Sequence, residues 1–513
     1  MRRAIISVSD KTGIVDFARK LTDLGIEIIS TGGTAKTLSN EGINVLQVSE
    51  ITGFPECLDG RVKTLHPKIH GGILAMRGNR EHMQTLDKLD ITPIDFVVIN
   101  LYPFKETVSN PDSTFDECIE NIDIGGPGML RAAAKNHHDV TVITDPSDYE
   151  RVIDELVKFG NTSDETKLFL AYKVFAHTAA YDSMIADYLC SQIGYIDFPD
   201  TVTLSYEKIA DMRYGENPHQ KAAFYRNALP VSGSLTSAVQ HNGKELSYNN
   251  IADTDACITL LKEFDEPCVV AVKHANPCGV GCGENINEAW KKAYEADSVS
   301  IYGGIVAANR RIDGATAKEM SEIFLEVIIA PSYTDEAMAI LKAKKNLRVL
   351  ELSDVASSVK TSEMDVKKVL GGVLIQGHDT GKQDSDKWNT VTVRKVQDNM
   401  MSDLVFGMKV VKHVKSNAIV LVKNKQTIGI GPGQPNRITS AKIAISCAGM
   451  KAEGAIMASD AFFPFPDCVE AAAEAKITAI VQPGGSVNDK LSIEACDKHD
   501  IAMIFTGRRH FKH

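Results

Sequence analysis

The chain has 513 residues, 43% of them apolar and 24% charged, with a formal net charge of −11. That length exceeds one ordinary hydrophobic core, so two or three globular domains are expected. The acidic balance argues against a broad nucleic-acid footprint, and no apolar run is long enough to span a bilayer. Ten cysteines lie singly in apolar or helical segments such as "DCVEAAA", the pattern of reduced core thiols in a cytoplasm rather than a disulfide framework. The start, "MRRAIISVSD", has no signal-peptide h-region and reads as the edge of a fold.

In chain order, "AIISV", "IEIIS", "INVLQV", "DFVVIN" and "DVTVIT" predict strands separated by helices. In "TGIVDFARKLTDLG", Ile14, Phe17, Leu21 and Leu24 share one helical face and Gly25 closes it. "DFVVIN" is apolar almost throughout, as a parallel strand covered on both faces would be. The first 145 residues therefore predict a doubly wound parallel α/β sheet with right-handed crossovers. Residues 164–192 predict a long helix lying across it. The pattern breaks at "GYIDFPDTVTL", which sets a boundary between domains 1–197 and 198–513. Beyond it, "CVVAV", "GIVAA", "VIIA", "GGVLIQ", "AIVLV", "AIMAS", "ITAIV" and "IAMIF" predict two clusters of strands, hence two lobes. The polar stretch 377–390 reads as a surface excursion between them. No fixed-period repeat stands out.

Polar motifs gather where these strands end. "STGGT", including Thr31, Gly32, Gly33 and Thr34, follows a strand and opens a helix, where free N–H groups can bind phosphate. A plain strand-to-helix turn with a Thr cap accounts for it equally well. It is neither a Walker loop nor a GxGxxG turn. "VSDKTG" adds Ser9 and Lys11. "GRVKTLHPKIHGG" adds Arg61, Lys63, Thr64 and Lys68, with His66-Pro67 forbidding a smooth helix through the segment. "NLYPF" adds Asn100 and Tyr102, and "IDIGGPGMLRAAAKNHHD" adds Asp123, Ile124 and Lys135 around a second glycine-rich helix start. A lone cation is most often solvated; repetition at the carboxyl ends of strands favours an anionic small molecule.

In the second domain, "AVKHANPCGVG" runs a buried-type strand into Lys273 and His274. Neighbours on a strand face opposite ways, so the two can serve one pocket only if the chain leaves the strand there. Asn276-Pro277 makes that plausible. For the bare dipeptide, a snorkelling lysine beside a hydrogen-bonded histidine is a better account than an acid/base pair. A zinc deaminase site is disfavoured: Cys282 lies one residue too far from Pro277-Cys278, and no H-x-E occurs. Further turns hold Arg213 and Tyr214 in "MRYGENPHQ", Asn417 in "SNAIVLV", and Gln434 and Arg437 in "GIGPGQPNR". "ASDAFFPFPD" holds Asp460, Phe462 and Asp467, whose aromatic setting suits a flat ring. Ser486 lies in "VQPGGSVND" and Arg509 in the closing "TGRRHFKH".

Taken in order, "SDKTG", "STGGT", "GRVKTLHPKIHGGIL", "NLYPF", "IDIGGPGMLRAAAKNH", "RYGENPHQ", "SYNNIADTDA", "VKHANPCGVG", "SDAFFPFPD", "VQPGGSVND" and "RHFKH" make the chain resemble, over essentially its whole length, the bifunctional AICAR transformylase/IMP cyclohydrolase family of purine biosynthesis. The resemblance implies an N-terminal methylglyoxal-synthase-like cyclohydrolase domain. It implies a C-terminal transformylase domain of two cytidine-deaminase-like lobes without catalytic metal. It also implies a cytoplasmic homodimer with transformylase sites between subunits, contacting neither membrane nor nucleic acid. The implied substrates are AICAR, formyl-AICAR and folate. 10-Formyltetrahydrofolate, the cosubstrate, would formylate AICAR, and formyl-AICAR would then close to IMP with loss of water.

By the same resemblance, His274 would take the proton of the weakly nucleophilic amine, Lys273 would steady the oxyanion, and Asn417 would position the amine. Arg213, Tyr214, Gly303, Arg437, Phe462, Asp467, Ser486 and Arg509 would hold nucleotide and pterin. Lys63, Tyr102, Asp123 and Lys135 match the family's cyclohydrolase positions; Ser9, Lys11, Thr31, Gly32, Gly33, Thr34, Arg61, Thr64, Asn100 and Ile124 match its nucleotide contacts. The chain departs from the family at Pro432, Pro435 and Asn436, where Ala, Met and Ser are expected, and at Glu326, where some members carry Asp. Two other readings stand beside this one: an effector-binding module, since "STGGT" alone does not separate sensor from enzyme, and the zinc deaminase.

Overall fold

Strand β1 (Arg2–Ser7) is the middle of a five-stranded parallel sheet, flanked by β2 (Ile26–Ser30) and then β3 (Val45–Gln47) on one side. On the other side lie β4 (Phe96–Ile99) and then β5 (Thr141–Ile143). The computed structural model describes residues 2–194, 198–357 and 364–513. The chain divides into two compact units: one runs to Glu207 and includes Asn227–Leu229, the other comprises Lys208–Arg226 and Pro230–His513. The boundary expected between 197 and 198 adjoins residues 195–197, which lie outside the described ones.

In the first unit, the sheet is buried on both faces, as the unbroken apolar run of β4 requires. Strand order reverses between β1 and β4, which opens a crevice beyond their carboxyl ends. The strand expected over "INVLQV" is shorter, because Val48 already begins the helix Val48–Thr52, capped reciprocally by Gln47 and Glu50. The long helix is observed as Asp164–Gln192, and its Tyr181 hydroxyl accepts the Asp123 amide at 2.9 Å.

The second unit holds two six-stranded sheets of the same construction. In the first, the strand order is Asn276–Cys282, Cys268–Lys273, Ile305–Ala308, Val327–Ala330, Arg348–Glu351 and Val239–Asn242. In the second it is Thr427–Gly431, Ile419–Val422, Ile456–Ser459, Ala479–Gln482, Ala502–Phe505 and Asn389–Thr390. Parallel and antiparallel pairings match strand for strand. Even the register slip in the leading hairpin recurs at the same place, between Pro277 and Gly279 and again opposite Leu421 and Val422. The two lobes expected from the sequence are therefore one fold used twice.

One expectation needs correction. "GGVLIQ" belongs to neither large sheet: it pairs with Met364–Val369 as a separate hairpin, with Leu370 and Leu374 exposed. The stretch 377–390 does lie at the surface, none of its residues being buried, and it is anchored there. Asp379 bonds the buried His510 ring at 2.6 Å, and Gln383 meets its other nitrogen at 3.0 Å.

Candidate active sites

In the first unit, the loops after β1, β2 and β4 meet in the crevice. The Asn100 side chain accepts the Ser9 and Asp10 amides at 2.6 and 3.0 Å and donates to the Asp10 carbonyl at 3.0 Å. Thr34 is buried and locked to Val8, accepting its amide at 3.1 Å and donating to its carbonyl at 2.9 Å. Thr31 stands at the start of the helix Gly32–Asn40 without capping it, so the first helical amides stay open to a ligand. Two ammonium groups face that start. Lys63 Nζ lies 3.8 Å from the point a Cβ on Gly32 would occupy, and Lys11 Nζ lies 4.0 Å from the same point on Gly33. An uncapped helix start under two lysines has the donors and the positive charge that suit an anion.

The other wall carries Asp123 and Tyr102. Asp123 accepts the Gly126 amide at 2.8 Å and faces the Tyr102 amide. Any Cβ on Gly126 would stand 2.5 Å from Asp123 Oδ2, so glycine there is what lets the carboxylate fold over the helix start. Burial pushes the Asp123 carboxyl above its ordinary range, and the two amides pull it back only in part. Tyr102 and Ile124 are exposed beside it, and Thr64 is buried against Gly125. Two cations are engaged by carboxylates that sequence reasoning passed over: Lys63 with Glu56 at 2.8 Å, and Arg61 with Glu120. The acids three to eight residues upstream in "PECLDGR" were the available signal for Glu56; Glu120 is distant in sequence and had none. His66-Pro67 does break the chain: His66 caps a helix that begins at Pro67. Lys68 points away, 3.8 Å from Asp90. Lys135 occupies the last turn of Gly125–Lys135, so the helical rise of about 1.5 Å per residue separates it by roughly 15 Å from the first turn. Among the described residues no hydrogen bond or ion pair joins it to the Asp123 cluster.

In the second unit, the strand Cys268–Lys273 ends where the sequence suggested, but Asn276-Pro277 is not the cause. The chain reverses in a two-residue turn at His274 and Ala275, with φ of 54° and 57°, and Pro277 lies within the returning edge strand. An edge strand tolerates proline because its amide would face outward. Lys273 donates to the Tyr302 carbonyl at 2.9 Å, and Gly303 follows directly, packed on Phe324. His274 is exposed. Asp253, which lies in "SYNNIADTDA" but was not among the candidate site residues, accepts the amides of both turn residues.

Across the lobes, the Asn276 side chain accepts the Lys415 amide at 3.2 Å. Nearby, Asn417 donates to the Gln434 and Pro435 carbonyls at 2.8 and 3.2 Å and accepts from Arg437 at 2.6 Å. Arg437, buried, also bonds Ser459 at 2.9 Å and the fully buried Asp460, which holds Ser416 on its other oxygen. The Pro432–Asn436 loop is thus tied to Asn417, with Asn436 capping the helix that Arg437 begins. Phe462, Asp467 and Ser486 lie beyond the strand ends of the second lobe, where Asn488 binds the Pro464 carbonyl at 2.9 Å. Arg213 stacks on Tyr214, and Arg509 on Phe511. No hydrogen bond, ion pair or ring contact among the described residues joins these six to Lys273 or His274. Glu326 is engaged by Arg348 at 2.6 Å. Burial pushes the Cys278 thiol up to about 12, which suits a core thiol rather than a metal-ligating thiolate. Among the described residues there is no group of three or more His, Cys, Asp or Glu arranged to hold a metal ion, and no helix long and apolar enough to cross a membrane.

Residues 133–447 match the family described as the AICARFT/IMPCHase bienzyme, and residues 13–128 match the MGS-like domain. The bifunctional purine biosynthesis protein PurH of Acetivibrio thermocellus is 60% identical over 513 residues, covering 100% of both chains. PurH of Bacillus subtilis is 57% identical over the same length and coverage. The chain belongs to the AICARFT/IMPCHase bienzyme family. In this bienzyme the parallel sheet of the first unit is the methylglyoxal-synthase-like domain, and the duplicated α/β lobes make up the second. The bienzyme's crevice residues and its His274 hairpin therefore lie on separate compact units.

Proposed function

We propose that the crevice beyond β1 and β4 closes the purine ring and that the hairpin carrying Lys273 and His274 transfers the formyl group. The chain is a bifunctional enzyme of purine biosynthesis, with AICAR transformylase and IMP cyclohydrolase activities and 10-formyltetrahydrofolate as cosubstrate. The observation that carries the division is that each unit holds its own polar cluster at strand ends, one around Lys11, Lys63, Tyr102 and Asp123, the other around Lys273, His274 and Asn417. Domains 1–197 and 198–513 follow the same division.

In formyl transfer, His274 removes the amine proton as the new carbon–nitrogen bond forms, and Lys273, with donors left beyond Tyr302, meets the developing oxyanion. The oxyanion then collapses, the bond from the formyl carbon to the folate nitrogen breaks, and Lys273 helps protonate that nitrogen as tetrahydrofolate leaves. Asn417 has spent both amide hydrogens and one lone pair within the chain; the second lone pair of Oδ1 is left to accept from the substrate amine. Ring closure is intramolecular, so holding formyl-AICAR by its phosphate supplies much of the acceleration. Asp123 and Tyr102 move the protons, and Ser9, Thr31, Thr64, Asn100, Arg61 and Ile124 frame the nucleotide. Lys135 rests on its match with the family alone.

Arg213, Tyr214, Gly303, Arg437, Phe462, Asp467, Ser486 and Arg509 bind nucleotide and pterin in this reading. In this reading a homodimer shares its transformylase sites, so that some of these residues and His274 come from different chains. Mixing inactive His274→Ala and Arg213→Ala proteins is then expected to regain part of the transformylase activity through hybrid dimers; no regain would mean that each chain holds a whole site. The ten free cysteines suit a reducing cytoplasm.

An absorbance assay with AICAR and 10-formyltetrahydrofolate, followed by product identification, tests the whole reading; an effector-binding module would leave both compounds unchanged. A finer test concerns Asp123. Because burial raises its folded-state value above the ordinary 3.8, the folded chain binds this proton more readily than the unfolded one. Its contribution to stability therefore falls as pH rises from 3.8 through the raised value. Asp123→Asn is expected to lower ring closure by roughly 10²–10⁴ while the melting temperature at neutral pH stays level or rises. A clear drop in melting temperature would contradict this balance.

A further inference from the structure

We propose that Asp253 is a positioning residue for formyl transfer, fixing His274 through the main chain; the inference rests on the role given to His274 above. A two-residue hairpin turn with both central residues at positive φ is normally built with Asn-Gly or Asp-Gly. Here the pair is His274-Ala275, at φ 54° and 57°, a region that side-chain-bearing residues rarely adopt. The turn is held from outside. One oxygen of Asp253 accepts the His274 amide at 3.1 Å and the other accepts the Ala275 amide at 2.7 Å. An ionised carboxylate presents acceptors on both oxygens, whereas asparagine would turn an NH₂ group toward one of those donors. Asp253 is anchored on the helix Tyr248–Leu261, whose next residue, Thr254, is fully buried. The imidazole itself makes no hydrogen bond among the described residues, so where the ring stands relative to Lys273 is decided by this turn.

The duplicated lobe carries the same device without the histidine. Asp403 accepts the amides of Asn424 and Lys425 at 2.8 and 2.7 Å, with φ of 56° and 53°. The spacings agree: 21 and 22 residues separate each aspartate from its two amides in both lobes. The clamp belongs to the lobe fold, and in the first lobe it carries an imidazole. That gives the test an internal control.

In Asp253→Asn, kcat of formyl transfer is expected to fall roughly tenfold to a hundredfold, since a misplacement near 1 Å costs that much, with KM for AICAR and ring closure little changed. Asp403→Asn should lower the melting temperature by a similar amount and leave formyl transfer intact. Adding Ala275→Gly to Asp253→Asn should restore kcat several-fold, because glycine adopts positive φ freely. If Asp253→Asn does not fold, Asp253→Glu, which keeps the charge but pushes the turn outward, should give the same loss of kcat in a folded protein. An unchanged kcat in these variants, an equal loss in Asp403→Asn, or no gain from Ala275→Gly overturns the positioning role. His274→Ala in the same assay separates the failures: retained formyl transfer there would remove the role of His274 itself.

Discussion

Replacing His274 by alanine is expected to lower formyl transfer by roughly 10²–10⁴, the loss of a general base, while ring closure of supplied formyl-AICAR proceeds unimpaired. His274 sits at the tip of a hairpin in the second unit, and the crevice residues around Asp123 belong to the first. The substitution removes an exposed ring that no side chain holds, so the melting temperature should hardly move. Lys273 keeps its bond to the Tyr302 carbonyl and can still meet an oxyanion, so a residual rate above background is expected. The measurement is tetrahydrofolate formation with AICAR, against IMP formation from formyl-AICAR in a separate cuvette. Equal loss of both would show that the two activities are not divided between the units as proposed.

The largest effect on stability is expected from Asp460→Ala. Asp460 is fully buried, and Arg437 is nearly so. Removing the carboxylate leaves a guanidinium without its countercharge in the interior of the second lobe, at a cost of about 3–5 kcal/mol. Melting of the second unit should drop by several degrees, with the first unit's melting and ring closure retained. Replacing both partners by apolar residues, as in Arg437→Met with Asp460→Leu, should recover much of that stability, because a packed apolar pair avoids burying charge. Formyl transfer should not recover, since Asn417 loses the Arg437 donor that orients its amide. A double variant as unstable as the single one would mean that packing, not charge, governs this place.

Most central strands were legible because β-branched, apolar runs such as "DFVVIN" and "CVVAV" have few other ways to be buried. The edges were not. "VQHN" and "NT" are polar and short, and they become strands only because a neighbour offers its free backbone groups. Two lobes were expected, and the residues alone left only the detail of their match illegible, for a related reason. "VAVKHANPCGVGCG" and "VLVKNKQTIGIGPG" agree at six of fourteen positions, two valines, the lysine and three glycines, and their clamped turns occupy matching places. What the two lobes have in common is backbone geometry, which many side chains can satisfy.

The amino-acid sequence by itself determined the α/β class, the clusters of polar residues at strand ends, and the resemblance that led to the family; these depend on periodicity and on neighbours within a few positions. Only the tertiary structure decided which of those residues meet: Lys11 with Lys63 over one helix start, Asp253 under His274, and Asn417 with Arg437 and Asp460. It likewise left Lys135 a helix length from the cluster it was expected to join. The physical reason is distance along the chain. Partners twenty to fifty residues apart are brought together by strand order and helix packing, and local spacing carries no record of either.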